Sequence, residues 1–375
     1  MYNNFLDRQK LRFDLKIILT IIFTLTVFGL LFIYSSSCVF ASEKFGSSFY
    51  FVKKQFIGLL ISLIIFFIAS YIPLGFIKKY SPLFFFISLI ITLLTLVPGI
   101  GRTIHGSCRW IAFGGLAFQP SELLKVTLFL YLGNIVEKKR FKTFSFLSTY
   151  LPLLVILGLT LVVLLMQPDF GLTVTLFVTF FIVLFIVRLK LKYLLFTILG
   201  ALPAIGFLIL LKPYRIKRLF TYLNPWSDPQ GAGFQIIQSL IAIGAGGATG
   251  VGVAQSKQKF FYLPMQHTDF IFSIIAEETG FIGSSVIIFL FGVFLYLGIK
   301  IALKLKSFYA TFITLSFVIL LSLQSIINIG VASGILPTKG IGLPFVSYGN
   351  SCLISSFAMI GFIVNSVLDN DYSRV

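Results

Sequence analysis

Apolar residues run through this chain in long blocks separated by short polar segments, with neither the period of a surface helix nor the alternation of a strand. The blocks lie near residues 15–34, 55–73, 82–99, 120–136, 149–166, 172–188, 193–211, 269–299, 308–333 and 350–368. A helix needs about 20 apolar residues to cross a hydrocarbon core, and in lipid only a helix or a closed barrel satisfies its own backbone. The pattern predicts an all-α polytopic membrane protein of about ten transmembrane helices, forming a single integral membrane domain over residues 1–375. Val-Phe-Ala at 39–41 resembles a signal-peptidase site. The apolar run before it is longer than the roughly 7–15 residues of a cleaved signal, so it is expected to remain as the first span.

Composition agrees. Hydrophobic residues make up 58% of the chain and charged residues 11%, with a mean hydropathy of +1.01. A soluble domain carries about 25% charged residues, so the apolar surplus is expected to face lipid. The formal charge of +18 would suggest nucleic acid in a soluble protein, but here the basic residues cluster between apolar runs, as topology signals do. No nucleic-acid partner is expected. With the N-terminus inside, cytoplasmic segments hold 17 Lys and Arg and outer segments 12, of which 6 lie in one long loop at 212–268. Both termini are therefore expected on the cytoplasmic side, with that large extracytoplasmic loop between spans 7 and 8.

The outer segments 100–122, 167–171, 212–280 and 328–351 are rich in Gly, Pro and acidic residues and too apolar for free loops. Irregular backbone at membrane depth is tolerated only when it is buried in protein or lines a cavity, so one composite outer site is expected. Ionisable residues at the edges of spans point to such a site. Asp269 lies in His-Thr-Asp just before an apolar helix; it reads either as a helix N-cap or as a general base whose pKa an apolar mouth would raise. His267 stands beside it. Glu122 and Lys125 are three residues apart on one helix face, either a structural ion pair or a device that holds Lys125 ready for a phosphate. Arg109 and Trp110 read as an interfacial anchor or a binding pair, and Asp169 as a turn residue or part of the site. Arg215, Lys217 and Arg218 place positive charge outside, against the usual bias, and read either as a solvated charge run or as a site for an anionic head group or pyrophosphate. The glycine run at 244–253 lacks the Lys-Ser/Thr of a phosphate-binding loop. The three cysteines and two histidines form no metal or disulfide spacing.

Five motifs occur together and in order: RWIAFGGLAFQPSELLK, QPDFG, NPWSDPQGAGFQIIQSLIAIGAGG, YLPMQHTDFIFSIIAEETGFIG and NIGVASGILPTKGIGLPFVSYGNS. On these, the chain resembles the SEDS family (shape, elongation, division and sporulation) from about residue 15 to 368. The resemblance implies a ten-helix fold and peptidoglycan glycosyltransferase activity on lipid II. It puts the family's essential aspartate at Asp269 and other motif positions at Arg109, Trp110, Glu122, Lys125 and Asp169.

Lipid II carries its sugar as an α-linked pyrophosphate and the product is β-linked, so one inversion suffices. A single base on the acceptor hydroxyl and cations on the departing pyrophosphate meet that need. The expected assignment is Asp269 as base, with Arg109, Lys125, Arg215 and Arg218 available to the pyrophosphate. A divalent cation can join them, although no ligand cluster identifies one. Asn350 replaces the second glycine of the family's Ser-Tyr-Gly-Gly-Ser, where it would serve a left-handed backbone, and Met265 replaces an acidic residue. Pro-Thr-Lys-Gly at 337–340 resembles the division type rather than the elongation type. The implied partner is a class B penicillin-binding protein in a division or elongation complex, and the implied location the bacterial cytoplasmic membrane with the site facing outside. An elongation-type polymerase and a lipid II flippase are the alternative readings.

Overall fold

The computed structural model describes every residue except Met1, 105–106, 114–115, 141–145, 211–220, 232, 260–262, 265 and 373–375. Arg215, Lys217, Arg218 and Met265 thus lie outside the described residues. The helices are α1 (Tyr2–Phe45), α2 (Tyr50–Tyr71), α3 (Leu74–Leu94), α4 (Pro120–Arg140), α5 (Leu151–Met166), α6 (Phe170–Ile186), α7 (Leu191–Leu210), α8 (Phe234–Gly246), α9 (Ile271–Lys304), α10 (Phe308–Ala332) and α11 (Asn350–Tyr372). A helix lies over each apolar block of the sequence, and α8 falls in the long loop. By length and composition, seven helices among the described residues are long and apolar enough to cross a membrane.

Burial sorts the helices into centre and periphery. In α10 and α11 the apolar stretch is 78% and 83% buried, against 22% in α2. Both faces of α10 are enclosed by protein, whereas Phe56, Ile57, Leu60, Ile64, Phe67 and Ile68 of α2 stay exposed, as lipid-facing residues should. Gly361 brings α11 close to α2, because a Cβ there would stand 2.6 Å from Phe66 O.

Three features differ from the expectation. The first helix extends to Phe45 rather than ending near residue 34. The Ser-Ser-Ser that closes the apolar run is accommodated within the helix, with Ser36 and Ser37 hydroxyls donating to Ile33 O at 3.3 and 2.6 Å. At about 1.5 Å per residue the helix is about 66 Å long, well beyond a hydrocarbon core of about 30 Å. The fold is also not wholly α. A three-stranded antiparallel sheet, β1 (Gly101–Ile104), β2 (Ser107–Phe113) and β3 (Leu116–Phe118), fills the first motif-rich segment in the order β1-β2-β3. Arg102 opposes Trp110, and Ile111 opposes Phe118. Here β-branched and aromatic residues favour strand over a stretch too short to read as one. Finally, Asn350 is not left-handed; it opens α11, and its side chain occupies the place of a side chain at Gly58 of α2.

The glycine run acts through its backbone. Phe281 N and Ile282 N donate to Gly247 O and Ala248 O, and Val251 N and Gly252 N donate to Glu277 O and Glu278 O. These bonds meet where α9 breaks helical geometry at Gly280 (φ 67°, ψ −163°), and a Cβ on Gly280 would stand 2.3 Å from Gly250 N. Both the positive φ and the contact demand glycine. Glu277 and Glu278, buried just before the break, hold the segment further. Glu277 accepts from Ser256 Oγ and from Lys257 N at 2.9 Å, and Glu278 accepts from Ser35 Oγ of α1 at 2.6 Å. Gly280→Ala is expected to cost about 2 kcal/mol or more, read as a lower melting temperature of the detergent-purified chain, whereas Gly75→Ala, with open space around it, leaves it unchanged.

Candidate active site

The segments that carry the predicted residues lie at the end of α3, the start of α4, the α5–α6 turn, the turn before α9 and the loop after α10, all at one end of the bundle. Strand β2 delivers Arg109 to the α5–α6 turn. Its Nε donates to Gln167 O at 3.2 Å, one Nη donates to Pro168 O, and the other lies 3.6 Å from Asp169 Oδ2. Gln167 in turn donates to Thr92 O at 2.9 Å and to Thr95 Oγ1 at 2.6 Å, so the end of α3 is tied into the same knot. Asp169 caps α6, its Oδ1 accepting from Leu172 N at 3.2 Å. Burial raises the Asp169 pKa, while Arg109 and the cap bond pull it down. Trp110 follows Arg109 on the strand and pairs with Arg102, and the register shift there leaves Arg109 as the extra residue of a bulge.

Glu122 and Lys125 form the expected pair, with Oε2 and Nζ 2.6 Å apart. Ser355 Oγ donates to the same Oε2 at 2.6 Å, and Lys125 Nζ reaches Gln324 Oε1 at 3.5 Å. Lys125 has no exposed surface, and its ammonium is already matched, so the geometry accords with the structural pair more than with a cation waiting for phosphate. Its charge still acts on Asp169.

Asp269 sits in the turn before α9. The N-cap position belongs to Phe270, and no side chain caps the helix; the capping reading of Asp269 therefore fails, and its carboxylate is left for other work. The turn is held through its backbone. Asn328 Nδ2 donates to Asp269 O at 2.8 Å, Ser347 Oγ to Thr268 O at 2.6 Å and Tyr348 N to His267 O at 2.9 Å. The half-buried carboxyl has its pKa pushed up to about 6 by burial, with Arg109 opposing. Across from it lies Gly340, where a Cβ would stand 3.4 Å from Asp269 Oδ2.

His267 is in different company. Its ring lies 4.4 Å from that of Phe51, 5.7 Å from Tyr348 and 6.0 Å from Phe40, and its Nδ1 is buried with no partner. Burial lowers its pKa to about 4, so the imidazole is neutral at neutral pH. Aromatic packing, rather than the charged cluster, holds it. Sequence reasoning passed over Asn328, Gln324 and Ser355, each a buried polar residue in an apolar helix, which is itself a signal. It also passed over Lys339 as a site residue. Among the described residues no three His, Cys, Asp or Glu side chains are grouped to hold a metal ion.

A polytopic helical membrane protein with an ionisable site built by the loops at one end of its bundle is the class that fold and site define. The chain belongs to the FtsW/RodA/SpoVE family of cell cycle proteins, which it matches over residues 15–371. It is 42% identical over 349 residues to a probable peptidoglycan glycosyltransferase FtsW of Geobacter sp. (strain M18), covering 93% of this chain and 95% of that protein. It is 40% identical to stage V sporulation protein E of Bacillus subtilis (strain 168), covering 94% and 96%. Among solved structures it resembles a chain from a peptidoglycan synthase complex described as coordinating polymerization and crosslinking, with TM-score 0.77, 28% identity and coverage of 94% and 97%. It also resembles the rod shape determining protein RodA of Thermus thermophilus, with TM-score 0.69, 25% identity and coverage of 94% and 96%.

Glu122→Gln strands a buried ammonium and is expected to destabilise the protein by about 3 kcal/mol. The double variant Glu122→Gln/Lys125→Met recovers much of that loss. A double-mutant cycle on thermal unfolding reads the difference, and additive losses would show the two groups to be uncoupled.

Proposed function

We propose that this chain is an inverting peptidoglycan glycosyltransferase that polymerises lipid II for septal wall synthesis. The observation that carries the reading is Asp269, a half-buried carboxyl with a pKa near 6 that neither caps its helix nor forms a salt bridge among the described residues. Near neutral pH it is mostly ionised yet basic enough to take a proton, as a general base requires. Asp269 removes the proton from the acceptor 4-hydroxyl, and that oxygen attacks the anomeric carbon of the growing chain. The bond from that carbon to the pyrophosphate oxygen breaks, and undecaprenyl pyrophosphate leaves. One displacement inverts α to β, so no second carboxylate is needed. Arg109 supplies positive charge next to the base, and Arg215 and Arg218 are further cations proposed for the pyrophosphate. Trp110 and His267 are assigned to the walls of the substrate site, and Glu122, Lys125 and Asp169 to its charged framework.

Names and likeness support the division type. Relatives named FtsW reach 42% identity, and the RodA structure 25%. We assign ten spans on the apolar runs, both termini to the cytoplasm and the 212–268 loop and the site to the outside on the distribution of basic residues, and residence in the bacterial cytoplasmic membrane on the family. A class B penicillin-binding protein is the proposed partner, supported by the synthase complex whose chain this one resembles.

Purified wild-type protein with its class B partner is expected to make glycan from lipid II, and Asp269→Asn to make none at an unchanged melting temperature. Lipid II crossing liposomes with no glycan formed would replace this reading with a flippase. The sign of the pH dependence follows from the base. Its ionised form is lost below about 6, so kcat/KM should fall about tenfold per pH unit on the acid side and level off above. A profile flat from pH 5 to 7, as an order-of-magnitude window around that pKa, would remove Asp269 as the base.

A further inference from the structure

Every described cation of this site except one is already engaged. Arg109 holds Asp169 and two carbonyls, and Lys125 is enclosed against Glu122. Lys339, in the loop after α10, is half-buried, and no carboxylate among the described residues offsets the burial that lowers its pKa. Its Nζ lies 5.6 Å from the centre of the Phe170 ring, at the first residue of α6. The ring face offers a cation–π attraction rather than a counter-charge, and Asp169, at the start of the same helix, is taken up by the cap and by Arg109.

The loop is not placed there by chance packing. Asn328 Nδ2 donates to Ile341 O at 2.7 Å as well as to Asp269 O, and Ile341 N donates to Lys339 O at 3.0 Å. Gly171 presses against Ile341 and the Lys339 side chain from the other side. The residue after Lys339, Gly340, is the one that faces the Asp269 carboxylate. The chain therefore keeps an ammonium with no carboxylate partner among the described residues on the loop whose next residue faces the candidate base.

We propose that Lys339 is a diphosphate-binding residue of this site, contacting the pyrophosphate of the polyprenyl-linked donor and steadying it as the sugar–oxygen bond breaks. An anion there would supply the counter-charge that Lys339 lacks among the described residues, and charge-assisted bonds of this kind are about twice as strong as neutral ones. The inference rests on the polymerase reading, but its test requires no turnover.

Binding of undecaprenyl pyrophosphate to the full chain in detergent is measured by titration calorimetry for wild type, Lys339→Met and Lys339→Arg. Lys339→Met is expected to weaken binding about tenfold or more and Lys339→Arg to stay within about threefold of wild type. If Lys339→Met melts early, Lys339→Gln supplies the same comparison. Equal affinities in wild type and both uncharged variants, no binding by wild type, or an equal loss for undecaprenol, which carries no phosphate, would each overturn the proposal. A wild type that binds the diphosphate through Lys339 but makes no glycan would leave this site standing and remove the polymerase.

Discussion

Asn328 is buried near the outer end of α10, where amide N–H groups left unsatisfied would cost several kcal/mol, by an order-of-magnitude reckoning. Its two N–H groups are satisfied by the main chain of two separate outer segments, at Asp269 O and Ile341 O. The demand for partners inside an apolar helix thus becomes a positional constraint outside it. The turn that bears the carboxylate and the loop that bears Lys339 are fixed to one rigid helix, and through it to each other. Neither segment has regular structure of its own; their geometry is borrowed from α10.

Three carboxylates gather at this end of the bundle, and their surroundings give them different work. Glu122 is spent on a buried ammonium and a hydroxyl. Asp169 is divided between a helix cap and Arg109. Asp269 shares the field of Arg109 but forms no salt bridge among the described residues, and burial pushes its pKa up to about 6. Separation of roles among like groups by environment is a general route to acid–base chemistry near neutral pH. The paired carboxylates also hold the framework, so the reactive group needs no stabilising function of its own.

Much of this was legible in the sequence, for physical reasons. Long apolar runs fix where helices must be, and every such run is helical. Their ends were less legible: Ser36 and Ser37 look like a boundary but bond back into the helix, and the sheet at 101–118 is too short for its alternation to register. Charged residues near span edges stood out because burial makes them costly, which is how Asp269, Arg109, Asp169, Glu122 and Lys125 could be named. What could not be read were relations. Whether Asp269 caps α9 turns on a shift of one residue. Whether Lys125 is free depends on Glu122, Gln324 and burial, and the standing of Lys339 depends on which groups fail to reach it. His267 sits next to the key aspartate in sequence, yet its ring belongs to an aromatic nest.

The four main-chain bonds that join 247–252 to 277–282 have a bearing on how this sequence can change over time. They set the register of the glycine run against the broken helix independently of side-chain identity. Ser256 and Lys257 extend the tie by bonding to Glu277, so the segment stays fixed to α9 from 247 through 257. A single residue added between 247 and 252 would slide the whole ladder, because no register one step away again puts glycine against glycine. The outer loop thus holds a stretch whose length is fixed first by backbone alone and then by the buried carboxylates of α9.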